Sequence, residues 1–154
     1  MTEMTFDEKM MRLALDEADK AAKKGEVPVG AVIVCDGEVV SASYNSRETD
    51  KNALCHAEIK AIDAACKKLG GWRLHKCEMY VTLEPCPMCA GAIVNSRIKR
   101  VVYGAPDEKA GAFGTKLDLN SCGLNHKPVV ESGLLEDECA EKLSRFFSTL
   151  REKK

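Results

Sequence analysis

The sequence has no long apolar run. Its hydrophobic stretches fall well short of the ~20 residues that a bilayer span needs, so no membrane-spanning helix is expected. It opens Met1-Thr2-Glu3-Met4, without a basic region followed by an apolar stretch, so no secretory leader is expected. It also lacks an excess of either charge, with 23 basic against 24 acidic residues and a formal net charge of −1. That balance excludes a basic surface spread over the whole chain, so any nucleic-acid surface must come from local clusters. Internal repeats, low-complexity segments and linkers are missing too. With 154 residues, this argues for one domain over residues 1–154. A domain of that size hides roughly 68–70% of the surface of its unfolded chain and needs no disulfide staples.

Cysteine, in contrast, is abundant. Cys35, Cys55, Cys66, Cys77, Cys86, Cys89, Cys122 and Cys139 make eight. Without a leader they point to a reduced, cytoplasmic setting instead of a disulfide framework. Cys86 and Cys89 are assigned to metal, and the other six read as small buried hydrophobes. Cys55, next to His56, could lie close to the metal without binding it.

Helix and strand signals alternate along the chain. Thr5 caps a helix whose Glu8 reaches back, and Met11, Ala14, Leu15, Ala18 and Ala22 form its stripe up to Gly25. Val27 to Cys35 and Glu38 to Tyr44 read as strands joined by the Asp36-Gly37 hairpin turn. Asn45 to Leu54 is loop. A second helix runs from His56 to about Leu69, with Ile62, Ala65, Cys66 and Leu69 as its stripe and Gly70-Gly71 as its stop. Met79 to Leu83 is a third strand, and Pro87 opens a third helix to about Ser96. Lys99 to Gly104 and Pro128 to Ser132 are the last strands, separated by a segment that is mostly loop. Leu135 to about Arg151 closes the chain as a helix with Cys139, Leu143, Phe146, Phe147 and Leu150 inward. The hairpin is antiparallel and the strand–helix–strand crossings imply parallel pairing. The fold class is α/β: a three-layer α/β/α sandwich around a mixed five-stranded sheet.

His56-Ala57-Glu58 and, downstream, Pro85-Cys86-Pro87-Met88-Cys89 carry the chemistry. One imidazole and two thiolates make three Zn2+ ligands, which leaves the fourth tetrahedral position for water, as in catalytic sites. Both groups fall at helix starts, where the positive end of the helix favours thiolate. Glu58, two residues past His56, can reach that water. Zinc that lowers the pKa of water, beside a carboxylate that moves protons, is hydrolytic machinery. A Cys-x-x-Cys pair alone also serves structural zinc or redox roles. A redox pair needs no His-Ala-Glu partner, and a structural site usually has a fourth protein ligand, which His75, His126 and the remaining cysteines do not offer at a familiar spacing. The His-x-Glu then Pro-Cys-x-x-Cys spacing is the signature of zinc nucleobase deaminases.

Beyond that signature, the chain resembles the bacterial tRNA adenosine deaminases, a branch of the cytidine deaminase-like superfamily. The resemblance rests on Glu26-Val27-Pro28-Val29-Gly30-Ala31-Val32, His56-Ala57-Glu58-Ile59, Tyr80 through Ala92, Ser96-Arg97-Ile98, Val101 through Ala105, Asp107 with Lys109-Ala110-Gly111-Ala112, Leu124-Asn125-His126 and Phe146-Phe147. It implies hydrolytic conversion of the wobble adenosine of a tRNA anticodon loop to inosine, with release of ammonia. Zinc-bound hydroxide would attack C6 while Glu58 shuttles protons. It also implies a homodimer, and it implies roles. Asn45 would hydrogen-bond the nucleoside, and Val27 and Pro28 would shape the base pocket. The backbone near Ala57 and the Leu83-Glu84 turn would read the base edge, and Asp107, Lys109, Asn125 and Phe147 would contact flanking nucleotides. Each position also has a structural reading: turn residues for Asn45 and Asn125, strand packing for Val27 and Pro28, helix core for Phe147, solvated loop for Asp107 and Lys109. Cys55, Pro106, Phe113 and Asn120-Ser121-Cys122-Gly123 depart from the family pattern.

Basic clusters stand at Lys20, Lys23 and Lys24; at Lys67 and Lys68; at Arg73, His75 and Lys76; at Arg97, Lys99 and Arg100; and at Arg151, Lys153 and Lys154. The third and fourth could hold phosphates of a splayed anticodon loop if they flank the zinc pocket. A free nucleobase or nucleoside deaminase of the guanine or cytosine type shares the chemistry and needs no RNA surface. A non-enzymatic zinc-stabilised module could lack the shuttling carboxylate, which Glu58 supplies here.

Overall fold

The computed structural model describes residues 3–152; Met1, Thr2 and the Lys153-Lys154 end of the last basic cluster lie outside them. Thr5 caps helix α1 (Phe6–Lys23) through a complete capping box, its hydroxyl accepting from the Glu8 N–H while Glu8 accepts from the Thr5 N–H. Strands β1 (Gly30–Cys35) and β2 (Glu38–Tyr44) form the hairpin, turned by Asp36 and Gly37 with positive φ of 51° and 82°. Helix α2 (Ala57–Leu69) ends on Gly70 in the left-handed region. Strand β3 (Cys77–Leu83), helix α3 (Pro87–Ser96), strand β4 (Arg100–Ala105), strand β5 (Val129–Ser132) and helix α4 (Glu136–Glu152) complete the order, with one 3-10 turn over Leu119–Ser121.

The sheet runs β2-β1-β3-β4-β5. β1 is antiparallel to both β2 and β3, while β3–β4 and β4–β5 are parallel. The expected mixed five-stranded sheet is therefore present, with β1 inserted between its hairpin partner and β3. Alternate residues face opposite layers. Ala31, Ile33, Met79, Val81, Val101 and Tyr103 pack with Ala57, Ala61 and Ala65 of α2 and Ala90 and Ile93 of α3. Val32, Val34, Tyr80 and Val102 pack on the other face with Met11, Ala14 and Leu15 of α1 and Cys139 of α4. α1 lies so close on β1 that a Cβ at Gly30 would sit 2.0 Å from the Ala14 carbonyl oxygen, so this position requires glycine.

Several expected boundaries and faces shift. β1 begins at Gly30, not Val27: Pro28 has no N–H to give a ladder, and the Val29 N–H turns back to the Val27 carbonyl at 2.9 Å. In α1, Ala21 is buried in place of Ala22, and Glu17 is buried against Lys20. In α2 the buried row is Ala57, Glu58, Ala61 and Ala65; Ile62 and Cys66 are half-buried and Leu69 is exposed. A carboxylate within the inward row shifts that row away from the most apolar residues. In α4 only Cys139 is fully buried; Leu143 and Phe146 are half-buried, and Phe147 and Leu150 are 41% and 47% exposed. Its later turns face α1, where Lys142 pairs with Asp19 at 2.7 Å, and solvent.

Candidate metal centre

His56 is the N-cap of α2 and Cys86 the N-cap of α3. Pro87 at N1 starts α3 with φ already set and places Cys89 in the same first turn. The two helix starts converge. His56 Nδ1 lies 3.6 Å from the Cys86 Sγ and 3.5 Å from the Cys89 Sγ. Zn–S of about 2.3 Å and Zn–N of about 2.0–2.1 Å at tetrahedral angles require an N···S separation of about 3.6 Å. The three donors therefore fit zinc as they stand. Among the described residues this is the one cluster of His, Cys or carboxylate donors close enough to share an ion.

Each sulfur is already tuned. Hydrogen bonds from Cys89 and His56 hold the Cys86 thiol down to about 4 against its burial. Cys89, the donor in that contact and wholly buried, is pushed up. The contact with Cys86 raises His56. A divalent cation held by the three would make both sulfurs thiolates. Glu58 is 4% exposed, lies in the first turn of α2 just past His56 and borders the same cavity as His56 and Cys86, which places its carboxyl beside the metal position. Burial raises Glu58 to about 7. Cys55 is half-buried and is not one of the donors gathered at the metal position.

His56, Glu58 and Cys86 border a cavity of about 210 Å³ with Val27, Val29, Asn45, Arg47, Leu83, Glu84, Asp107 and Ala110. The sheet topology assembles this mouth: the residues before β1, after β2, after β3 and after β4 all emerge at one end. Asn45 is held there by its amide, which donates to the Val27 carbonyl at 3.2 Å and accepts from the Arg47 N–H at 3.3 Å. Glu84 is 1% exposed and accepts from the N–H groups of Asp107 (3.1 Å), Phe113 (3.0 Å) and Thr115 (3.2 Å), and from the Thr115 hydroxyl. It thus anchors the loop that brings Asp107 to the cavity. Glu26, also buried, accepts from the Glu48 and Thr49 N–H groups and fixes the loop after Asn45. Neither the place of Arg47 at the cavity nor the anchoring role of Glu26 is expected from the sequence. An acidic residue shortly before a strand is a signal only once the loop it holds is known.

The remaining expected site residues divide. Ala57 is fully buried next to His56 and does not line the cavity. Pro28 lines the groove between α1 and α4 with Ala22 and Phe146, on the other side of the chain from Val27. Lys109 and Phe147 meet around a separate cleft with Leu143, Ser144 and Arg151. Asn125 lies near the far end of α3 with Gly91, Val94, Asn95 and Arg97. His126 contacts the Ile98 carbonyl at 2.6 Å and is structural. Lys76, Lys99 and Arg100 stand at the opening ends of β3 and β4, about 20 Å of strand away from Leu83 and Glu84, so the third and fourth basic clusters do not flank the cavity. Arg100 instead pairs with Asp7, Glu78 and Glu131. Lys24 of the first cluster is nearer the mouth, donating to the hydroxyl of Tyr44 at 2.6 Å.

The model of the cytidine and deoxycytidylate deaminase zinc-binding region matches residues 4–105. The chain is 53% identical over 152 residues to the tRNA-specific adenosine deaminase of Bacillus subtilis (strain 168), covering 98% of this chain and 94% of that protein. A solved structure from a study of A-to-I editing by tRNA:A34 deaminases at the wobble position matches with a TM-score of 0.86 and 47% identity, over 88% of this chain and 99% of the other. A guanine deaminase structure from Nitrosomonas europaea shares the fold, with a TM-score of 0.74 at 22% identity, over 92% of this chain and 84% of the other. Converging ligands, a buried carboxyl beside them and likeness along nearly the whole length lead to one assignment: the chain belongs to the zinc-binding deaminase family, in the branch of the tRNA-specific adenosine deaminases.

Proposed function

We propose that this chain hydrolytically deaminates the wobble adenosine of a tRNA anticodon loop to inosine. The observation that carries the reading is the meeting of the His56, Cys86 and Cys89 donors with the buried Glu58 carboxyl at one wall of a nucleobase-sized cavity. When bound, zinc supplies the Lewis acidity that makes a water molecule nucleophilic at neutral pH. The chain's own residues do the rest. Glu58 takes a proton from the attacking water and gives it to the ring nitrogen as the C6–O bond forms; it then takes the remaining hydroxyl proton and gives it to the amine, so that the C6–N bond breaks, ammonia leaves and C6 keeps a carbonyl oxygen. Glu58 is raised by its burial, and a cation held by His56, Cys86 and Cys89 would favour its carboxylate, the form that accepts the first proton. Asn45 presents amide groups to the nucleoside, and Val27, Val29 and Leu83 supply apolar walls for the base.

Reaching this cavity requires an unstacked adenosine, which a single-stranded anticodon loop presents. Arg47 at the rim, the Asp107–Thr115 loop and the exposed Lys109–Phe147 cleft lie where flanking nucleotides would run. Asn125 stands apart from the cavity, so its contact with substrate rests on a homodimer in which it serves the partner's site. Among the described residues no helix is long and apolar enough to cross a membrane. We place the activity in the cytoplasm, where tRNA resides and thiolate ligands stay reduced.

The test compares zinc-loaded protein on an anticodon stem-loop with wobble adenosine and on free adenosine, adenine, guanine, cytosine and cytidine, reading ammonia release. Release from the stem-loop alone supports the proposal. Release from a free base with the stem-loop unchanged would replace it with a free nucleobase deaminase.

A further inference from the structure

Two cysteines outside the metal centre face each other across the sheet. Cys35, the last residue of β1, is directly opposite Cys77, the first of β3, in the antiparallel register. The Cys77 carbonyl accepts from the Lys99 N–H at 3.1 Å, on the β4 side, and its N–H donates to the Leu74 carbonyl at 2.9 Å. A strand residue sends both backbone groups to one side, so towards β1 the pair is of the non-hydrogen-bonded kind. Such pairs hold their Cα atoms about 4.5 Å apart and their side chains closest. A disulfide spans Cα separations of about 4.4–6.8 Å. Both side chains project to the α2 face, in line with Ile33 and Met79, and the Cys35 thiol is directed to the Asp36 carboxylate at 3.9 Å. Cys77 is buried and Cys35 half-buried. The next thiol, Cys66 on α2, is directed to the Trp72 carbonyl at 4.0 Å.

We propose that Cys35 and Cys77 are a reversible dithiol–disulfide couple, oxidised by low-molecular-weight disulfides, that fastens β1 to β3. The Cys35 thiolate attacks a sulfur of the small disulfide; the S–S bond breaks and one small thiol leaves with the electron pair and a proton. Cys77 then loses its proton, attacks the Cys35 sulfur and expels the second small thiol. Two protein thiols are oxidised, and one small disulfide is reduced to two thiols that carry the two protons. Burial above all pushes the Cys77 thiol up to about 12, so Cys35 is the thiol that reacts first. The bond closes a ring over residues 35–77, which holds β2, Asn45, His56 and Glu58. It forms at the end of β3 remote from the cavity and leaves the metal ligands untouched.

The experiment equilibrates zinc-loaded protein with a series of reduced-to-oxidised glutathione ratios, quenches with acid and maps linked peptides without reduction. The expected product has lost two hydrogens, links Cys35 to Cys77, reverts in reduced glutathione and retains its zinc. Its Tm rises by roughly 5–15 °C, and Cys35→Ser abolishes both link and rise. Glutathione left attached at Cys35, a link to Cys66, free thiols at every ratio, or a mapped bond without a Tm rise would overturn the proposal.

Discussion

Glu84→Gln isolates the anchoring of the substrate-side loop from the zinc chemistry. Oε2 accepts two N–H groups, from Phe113 and Thr115; Oε1 accepts the Asp107 N–H and the Thr115 hydroxyl. A glutamine keeps one oxygen, and its cheaper orientation puts that oxygen where Oε2 stood. The Thr115 hydroxyl can then rotate and accept from the new NH2 group. The Asp107 N–H cannot, and is left as a buried donor facing a donor. An abandoned buried donor costs about 1–3 kcal/mol. Taking about 2 kcal/mol, the Tm of a domain this size falls by roughly 4–8 °C. The end of the loop that is freed is the one bearing Asp107, which borders the cavity. Steady-state kinetics on a wobble-adenosine stem-loop should therefore show a raised KM with kcat close to wild type, and zinc content should be unchanged. An unchanged Tm together with an unchanged KM would refute the anchoring role, and a loss of zinc would show that Glu84 acts on the metal centre instead.

Glu58→Gln keeps shape and burial but cannot move protons; kcat on the stem-loop should fall by about 10²–10⁴ with zinc retained, measured by single-turnover inosine formation and metal analysis. Cys86→Ser removes one of three protein ligands, so elemental analysis after dialysis should find little zinc, with activity lost in parallel. The hydrogen bond from Arg100 above all, then that from the Tyr80 hydroxyl and the charge of Arg100, hold the Asp7 carboxyl below its ordinary value of 3.8 against its burial. A depressed folded pKa gives stability that is fully present above the unfolded value and is lost as pH falls through the folded one. Asp7→Asn should therefore lower the Tm at neutral pH and flatten its acid-side decline, which a series of melts from neutral pH to below 3.8 would show.

Local signals carried much of the fold. The Thr5–Glu8 capping box, the Asp36-Gly37 turn, Gly70 and Pro87 act through neighbours in sequence, and each sets its element's end as expected. The metal ligands were legible for the same reason, since His56 and Cys86 each sit at a helix start that their own sequence defines. Longer-range placement was not legible. Nothing near Val27 and Pro28 tells that one lines the cavity and the other the α1–α4 groove; that depends on Pro28 ending the ladder as α1 crosses it. Arg97, Lys99 and Arg100 read as a cluster along the chain, but β4 starts at the end of the sheet away from the site. Glu84 read as part of a base-reading turn, and its four hydrogen bonds come from a loop more than twenty residues downstream. The apolar stripe of α4 runs on through Phe147 and Leu150 beyond the part that is buried, because periodicity reports which face is apolar and not how far the underlying sheet extends.

The most direct measurement treats whole tRNA, bearing adenosine at the first anticodon position, with zinc-loaded protein and reads inosine nucleotide by nucleotide. Conversion confined to that adenosine, and absent with Glu58→Ala at equal zinc content, is the result expected here. An unconverted wobble adenosine with folded, zinc-loaded protein, or undiminished conversion by Glu58→Ala, would contradict it.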